Sequence, residues 1–285
     1  MKRILIALAI ILVLGGAGLA VAAKHRHKTV TAPVAAKDLY VALGDSVAAG
    51  QGLPTASDPS ACERTNESYP SAIASSLNLN LDSLACSGAT LAVGVTGPQT
   101  VNELALPSQL VQLYQNAKPK LITITIGAND IDWTNLVGSC FTGDCGTPAQ
   151  TAAVTAKLAT LTTNLTALLA SLAEHYSTAP PRVIVTGYYQ VFAAGKQSCP
   201  DMSAISPSEA DWWRAQTVSL NKTVSDVVSN YTFAKFAPVD FSGHEFCTNT
   251  PWIQDLSATA PFHPTIEGQS AIAQAVTGAY SPYAH

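Results

Sequence analysis

The stretch Tyr40-Val-Ala-Leu-Gly-Asp-Ser-Val-Ala-Ala-Gly50 decides how the rest of the chain is read. Residues 40–43 form a short continuous apolar run, the pattern of a strand covered on both faces of a sheet. Gly44-Asp45-Ser46 then ends the run. A serine delivered at the carboxyl end of a buried strand, between glycines that let backbone and ligand come close, is placed as a nucleophile. The same tripeptide also spells an ordinary strand-to-helix turn with a capping side chain. Which reading holds depends on whether the chain supplies a base and donors for an oxyanion.

Working outward, the strand candidates are residues 39–43, 79–84, 121–126, 183–186 and 233–239, several of them continuous apolar or β-branched runs. Helix-like segments lie between them. Residues 69–77 follow a potential cap at Ser68, residues 108–115 follow Pro107, and residues 151–176 repeat Leu and Ala at helical spacing. The segment running to Ser229 opens with a capping box, Ser206-Pro-Ser-Glu209, and puts Pro207 at the first helical position. Residues 265–277 close the chain. Strands alternating with helices predict an α/β protein: a three-layer α/β/α sandwich on a central, mostly parallel five-stranded sheet. In such sheets ligands bind beyond the carboxyl ends of the strands, so the loops at 44–59, 85–97, 127–148, 187–205 and 240–264 are where chemistry is expected.

The start of the chain is of a different kind. Met1-Lys-Arg precedes an apolar run at residues 4–23 ending in small residues, the pattern of a signal peptide. The run is also nearly long enough to span a bilayer, so an uncleaved membrane anchor is the alternative. The cluster Lys24-His-Arg-His-Lys28 opposes translocation under the positive-inside rule, whereas the downstream cysteines favour it. We therefore divide the chain into a leader at 1–23, a linker at 24–37 and one domain at 38–285, with a secreted or extracytoplasmic, membrane-anchored location. The net charge of -4 carries no nucleic-acid signal, the only basic cluster being in the linker. The 6 cysteines, Cys62, Cys86, Cys140, Cys145, Cys199 and Cys247, are even in number and all follow the leader, as disulfides outside the cytoplasm would require. No C-x-x-C or paired Cys-His spacing suggests a metal.

Ser46 follows the first strand, Cys86-Ser-Gly88 the second, and Gly127-Ala-Asn129-Asp130 the third; the last loop ends Phe262-His263-Pro264. Four such loops at one sheet edge can converge. In this order the chain resembles the SGNH (GDSL-type) hydrolases, named for Ser, Gly, Asn and His in four blocks. The resemblance runs from about residue 38 to 282 and implies the flavodoxin-like fold of that family. It implies that Ser46 attacks an acyl carbonyl with His263 as base, and that the backbone N–H groups of Ser46 and Gly88 and the Asn129 side chain form the oxyanion hole. Among other histidines His244 is the serious competitor as base; His25, His27 and His285 lie in the linker or at the terminus, and His175 near a helix end. Asp45 and Asp130 are expected to organise their own loops.

The pattern breaks at position 260, where Ala260 stands in place of the aspartate that usually precedes the catalytic histidine by three residues. A Ser-His dyad is then expected, with the Ala260 backbone carbonyl accepting the Nδ1 proton, and Asp255 or Asp240 as alternative partners. The resemblance to secreted actinobacterial-type lipases, together with loop adjacency, implies the pairs Cys62–Cys86, Cys140–Cys145 and Cys199–Cys247. The function implied is a secreted lipase or esterase cleaving carboxylic esters, a monomer without metal or organic cofactor. An acyl pocket is expected from Leu53, Ile131, Trp133, Phe192 and Phe262. The alternatives are a carbohydrate deacetylase on the same fold and a non-catalytic surface binding module.

Overall fold

The computed structural model describes residues 36–54, 56–58, 61–115, 118–143, 145–195 and 203–280. The leader, nearly all of the linker and Cys199 lie outside them. In chain order the elements are β1 (Leu39–Gly44), α1 (Ser46–Ala49), β2 (Ala56–Asp58), β3 (Arg64–Thr65), α2 (Tyr69–Ser76), β4 (Asn80–Ser83), β5 (Gln99–Val101), β6 (Leu104–Leu106), α3 (Gln109–Gln115) and β7 (Leu121–Thr125). They continue with α4 (Trp133–Thr142), α5 (Pro148–His175), β8 (Arg182–Thr186), α6 (Pro207–Val228), β9 (Ala234–Ala237) and α7 (Ile266–Tyr280).

The central sheet has five strands in the order β4-β1-β7-β8-β9, and every neighbouring pair is parallel. Numbered among themselves these strands run 2-1-3-4-5, the flavodoxin-like order. The five expected strands and the α/β/α architecture are therefore observed. Parallel neighbours need crossovers, and the helices supply them, α2 packing against α7 and α5 against α6. Covered on both faces, β7 is buried at every position, while β4 at the edge keeps its residues partly exposed. Hydroxyls along the sheet satisfy one another: Tyr40 Oη meets Thr123 Oγ1, Tyr69 Oη meets Thr125 Oγ1, and Thr125 Oγ1 meets Thr186 Oγ1, each at 2.7 Å.

The capping box at Ser206 forms as expected, its Oγ accepting from the Glu209 N–H. A second one, Thr147 with Gln150, starts α5 three residues before the apolar repeat reveals it. Ser68, by contrast, makes no cap bond with its side chain. Elements without a periodic signal were not foreseen: the single turn α1, the hairpin β5–β6, the β2–β3 pair, and α4. The last contains Thr134, Val137, Gly138 and Thr142, poor helix formers, and is held by packing of Leu136 and Val137 and by the Cys140–Cys145 disulfide at its end.

Candidate active site

The site is built from the end of β1. Gly44 has φ +140°, and a Cβ there would lie 2.3 Å from the Thr125 carbonyl oxygen of β7, so only glycine fits. The buried Gln109 of α3 holds this residue from behind, accepting from the Gly44 N–H at 2.8 Å and donating to its carbonyl at 2.9 Å. Asp45 then caps α1, Oδ1 accepting from the Val47 N–H at 2.9 Å. Ser46 follows at the first helical position, 9% exposed, and its Oγ lies 2.8 Å from His263 Nε2.

His263 arrives from the long loop after β9. Residues 260–263 form a turn closed by the His263 N–H donating to the Ala260 carbonyl at 3.2 Å, with Pro261 second and Phe262 third at φ +66°. That is a type II arrangement, in which the carbonyl of the second residue is turned outward. Accordingly His263 Nδ1 meets the Pro261 carbonyl at 3.1 Å. The expected acceptor, the Ala260 carbonyl, takes the His263 backbone N–H and also bears on the ring, while the Nδ1 bond at 3.1 Å goes to the neutral carbonyl one residue later. Asp255 and Asp240 bond Ser257 and Ser242 in their own loops, and among the described residues neither meets His263. Burial lowers the pKa of His263, while the Pro261 and Ala260 carbonyls and the charge of Glu63 pull it the other way. With Nδ1 bonded to a carbonyl, the tautomer leaves Nε2 free to accept a proton. His244 is engaged elsewhere, stacked on Trp252 at 3.7 Å with Nδ1 against the Thr250 carbonyl at 2.7 Å.

The two loops between them are tied together. Asn129 Nδ2 donates to the Ala89 carbonyl at 2.9 Å, which leaves its second N–H available. Asp130 accepts from the Leu91 N–H at 3.1 Å through Oδ1 as well as from its own backbone, so it ties the second loop to its own. Gly88, at φ +77°, is exposed, and among the described residues nothing accepts from its N–H. Tyr188, after β8, was missed by sequence reading. Its hydroxyl donates to Asp45 Oδ2 and accepts from the Ala128 N–H at 3.2 Å, bridging the serine loop to the asparagine loop. Asn221 grips the backbone of Tyr188 from both sides at 2.7 Å, although in sequence it resembles a glycosylation sequon. Desolvation raises Asp45 to about 7 despite the opposing bonds from Tyr188 and Val47.

Ser46, Asn129 and His263 line one pocket of about 550 Å³, counting the space open to solvent; Gly88 is outside that lining. The rest of the wall is mainly apolar. Ile131, Trp133 and Phe262 line it as expected, whereas Leu53 and Phe192 do not, and Val47, Val191, Trp213 and Leu220 take their places. Phe192 is buried behind the wall, edge-to-face on Phe262 at 6.2 Å. Trp133 and Trp213 meet edge-to-face at 5.2 Å, and Trp213 Nε1 donates to Cys140 Sγ at 3.0 Å, which couples the Cys140–Cys145 disulfide to the pocket. Cys62–Cys86 likewise forms as expected. The third pair involves Cys199, which lies outside the described residues.

A serine at hydrogen-bond distance from an oriented imidazole, beside free N–H donors and an apolar pocket on a flavodoxin-like sheet, defines a class: the serine ester hydrolases of three-layer α/β type. The GDSL-like lipase/acylhydrolase family matches residues 42–271, and the chain belongs to it, a carboxylic ester hydrolase by family. A lipase of Streptomyces rimosus is 30% identical over 249 residues, covering 85% of this chain and 86% of that protein. Lipase 1 of Streptomyces coelicolor is 28% identical over 246 residues, 83% and 84% of the two chains. Among solved structures, an extracellular lipase from Streptomyces rimosus superposes with a TM-score of 0.64 at 26% identity, over 85% of this chain and 99% of that one. Phospholipase A1 from Streptomyces albidoflavus shares the fold, with a TM-score of 0.65 at 23% identity over 86% and 100% of the chains.

Proposed function

We propose that the chain is a secreted lipase or esterase in which Ser46 is the nucleophile and His263 the only side chain acting as base. The observation that carries this reading is the 2.8 Å contact between Ser46 Oγ and His263 Nε2. Ser46 Oγ attacks the acyl carbonyl as its proton passes to Nε2; the imidazolium then protonates the leaving alcohol, and the acyl group stays on Ser46. Water, deprotonated by the same nitrogen, releases the acid and restores the serine. The carbonyl oxygen, negative in both transition states, is met by the N–H groups of Ser46 and Gly88 and the free N–H of Asn129.

An apolar pocket wall beside Ser46 supports an aliphatic acyl group over the acetyl group of a carbohydrate deacetylase. Residues 1–23 would direct export, residues 24–37 link, and residues 38–285 carry the catalysis, with Cys199–Cys247 as a third disulfide. The similarity to an extracellular lipase supports export.

The test is hydrolysis of p-nitrophenyl esters from acetyl to long acyl chains by the protein, Ser46→Ala and His263→Ala. Both variants should lose turnover by at least about ten-thousand-fold, as removal of a nucleophile or its base does elsewhere. Turnover that survives both substitutions, or a wild type inert on every ester, would sink the reading and favour a binding module; activity confined to acetyl esters would favour the deacetylase.

A further inference from the structure

We propose that Gln99 is a positioning residue of the oxyanion hole, holding the peptide between Ser87 and Gly88 so that the Gly88 N–H faces the reacting carbonyl. The proposal rests on the reading above that this N–H is an oxyanion donor. Gln99 opens the β5–β6 hairpin, outside every motif that marks the family in this sequence, and is 7% exposed. Its Nε2 donates to the Ser87 carbonyl at 2.8 Å. In a planar trans peptide the C=O and the following N–H point in opposite directions. A donor fixed behind the Ser87 carbonyl therefore fixes the direction of the Gly88 N–H in front, at a residue whose φ of +77° and lack of side chain would otherwise leave that peptide free to turn.

Two further features show the amide is held for donation. Gln99 Oε1 is buried and has no hydrogen-bond partner among the described residues, an arrangement folded proteins normally avoid. Reversing the amide would not relieve it, because the oxygen would then face the Ser87 carbonyl and two acceptors would meet. Two glycines also approach it closely. A Cβ on Gly94 would fall 2.7 Å from Gln99 Oε1, and a Cβ on Gly88 would lie 3.7 Å from Nε2, so the amide lies directly against the oxyanion glycine. The Ser87 N–H is fixed as well, donating to the Cys62 carbonyl at 3.2 Å. Ser87 is thus held on both sides while the Gly88 N–H is left unbonded.

The experiment compares Gln99→Met and Gln99→Glu with the full-length protein, following kcat, KM, thermal midpoint and the rate of Ser46 labelling by a fluorophosphonate. Methionine keeps the length and removes both the donor and the unpaired oxygen; glutamate keeps the shape and presents an acceptor to Ser87. Both should lower kcat and the labelling rate together by about ten- to a hundred-fold, a part of what losing a whole oxyanion donor costs, with KM changed less than about threefold. Gln99→Met should keep its thermal midpoint. Turnover within about twofold of wild type in both variants, or a loss that follows a falling thermal midpoint with kcat and KM worsening alike, overturns the proposal. If the wild type resists labelling at Ser46, or Ser46→Ala still turns over, the nucleophile assignment fails instead, and the two failures are told apart.

Discussion

At the scale of single residues, the arrangement around His263 replaces a carboxylate with a carbonyl. The space for an aspartate at 260 is taken: a Cβ on Gly52 would fall 2.6 Å from Ala260 Cβ, and Ala260 is 4% exposed. Ala260→Asp should therefore lower the thermal midpoint without raising turnover, since it buries a carboxyl against backbone. Burial works against the imidazolium, and the neutral carbonyls beside the ring offset this only in part. With the His263 pKa lowered, its basic form persists to lower pH, so kcat/KM should rise with pH through a midpoint below about 6.5 and stay level above it. A rising limb centred above 7 in the pH–rate profile would contradict this. Asn129→Ala should reduce kcat about a hundred- to a thousand-fold. Its stability cost should be only on the order of 1 kcal/mol, from the bond to the Ala89 carbonyl.

At the scale of elements, the catalytic loops are short of regular structure and are joined by buried amides. Gln109 grips Gly44; Gln254 donates to the Gln51 and Pro264 carbonyls, each at 3.0 Å; Gln269 donates to the Val47 carbonyl at 3.0 Å and accepts from the Tyr69 N–H at 2.7 Å. The serine loop is thus tied to α3, to the histidine loop and to α7. Gln109→Leu should cost about 1–3 kcal/mol in urea unfolding, because the buried Gly44 N–H loses its acceptor, while the Gly44 carbonyl keeps the Cys86 N–H. None of these glutamines was legible beforehand. A lone glutamine carries no periodic or motif signal, and its partners are backbone atoms remote in sequence. The Cys62–Cys86 bridge closes a loop with a sequence separation of 24, and replacing both cysteines with alanine should lower stability by about 3 kcal/mol by chain entropy. Pairing of these two loops was legible, since both follow adjacent strands of the sheet.

At the scale of the whole molecule, burial of carboxyls at the sheet edge makes stability depend on pH. Desolvation raises Asp45 to about 7 and Asp130 to about 6, against an unfolded value near about 3.9. The native state therefore holds these protons more tightly, and their contribution is fully present below about pH 4 and is lost as pH rises to about 7. Asp45→Asn should remove its share: the stability difference between pH 5 and 8, measured in urea, should shrink by on the order of 2 kcal/mol relative to wild type. The amino-acid order by itself determined the architecture, because continuous apolar runs alternating with helical periodicity leave few alternatives to a covered parallel sheet. The four positions proposed as reactive were marked by the resemblance to the SGNH hydrolases, and each stands in a loop after a strand, at the edge where ligands bind in such a sheet. Only the tertiary structure decided what holds them there: the Pro261 carbonyl at the imidazole Nδ1, Tyr188 between two loops, Gln99 behind a glycine peptide. Those bonds join backbone groups to side chains distant along the chain, and their geometry depends on how the loops pack, which no local pattern encodes.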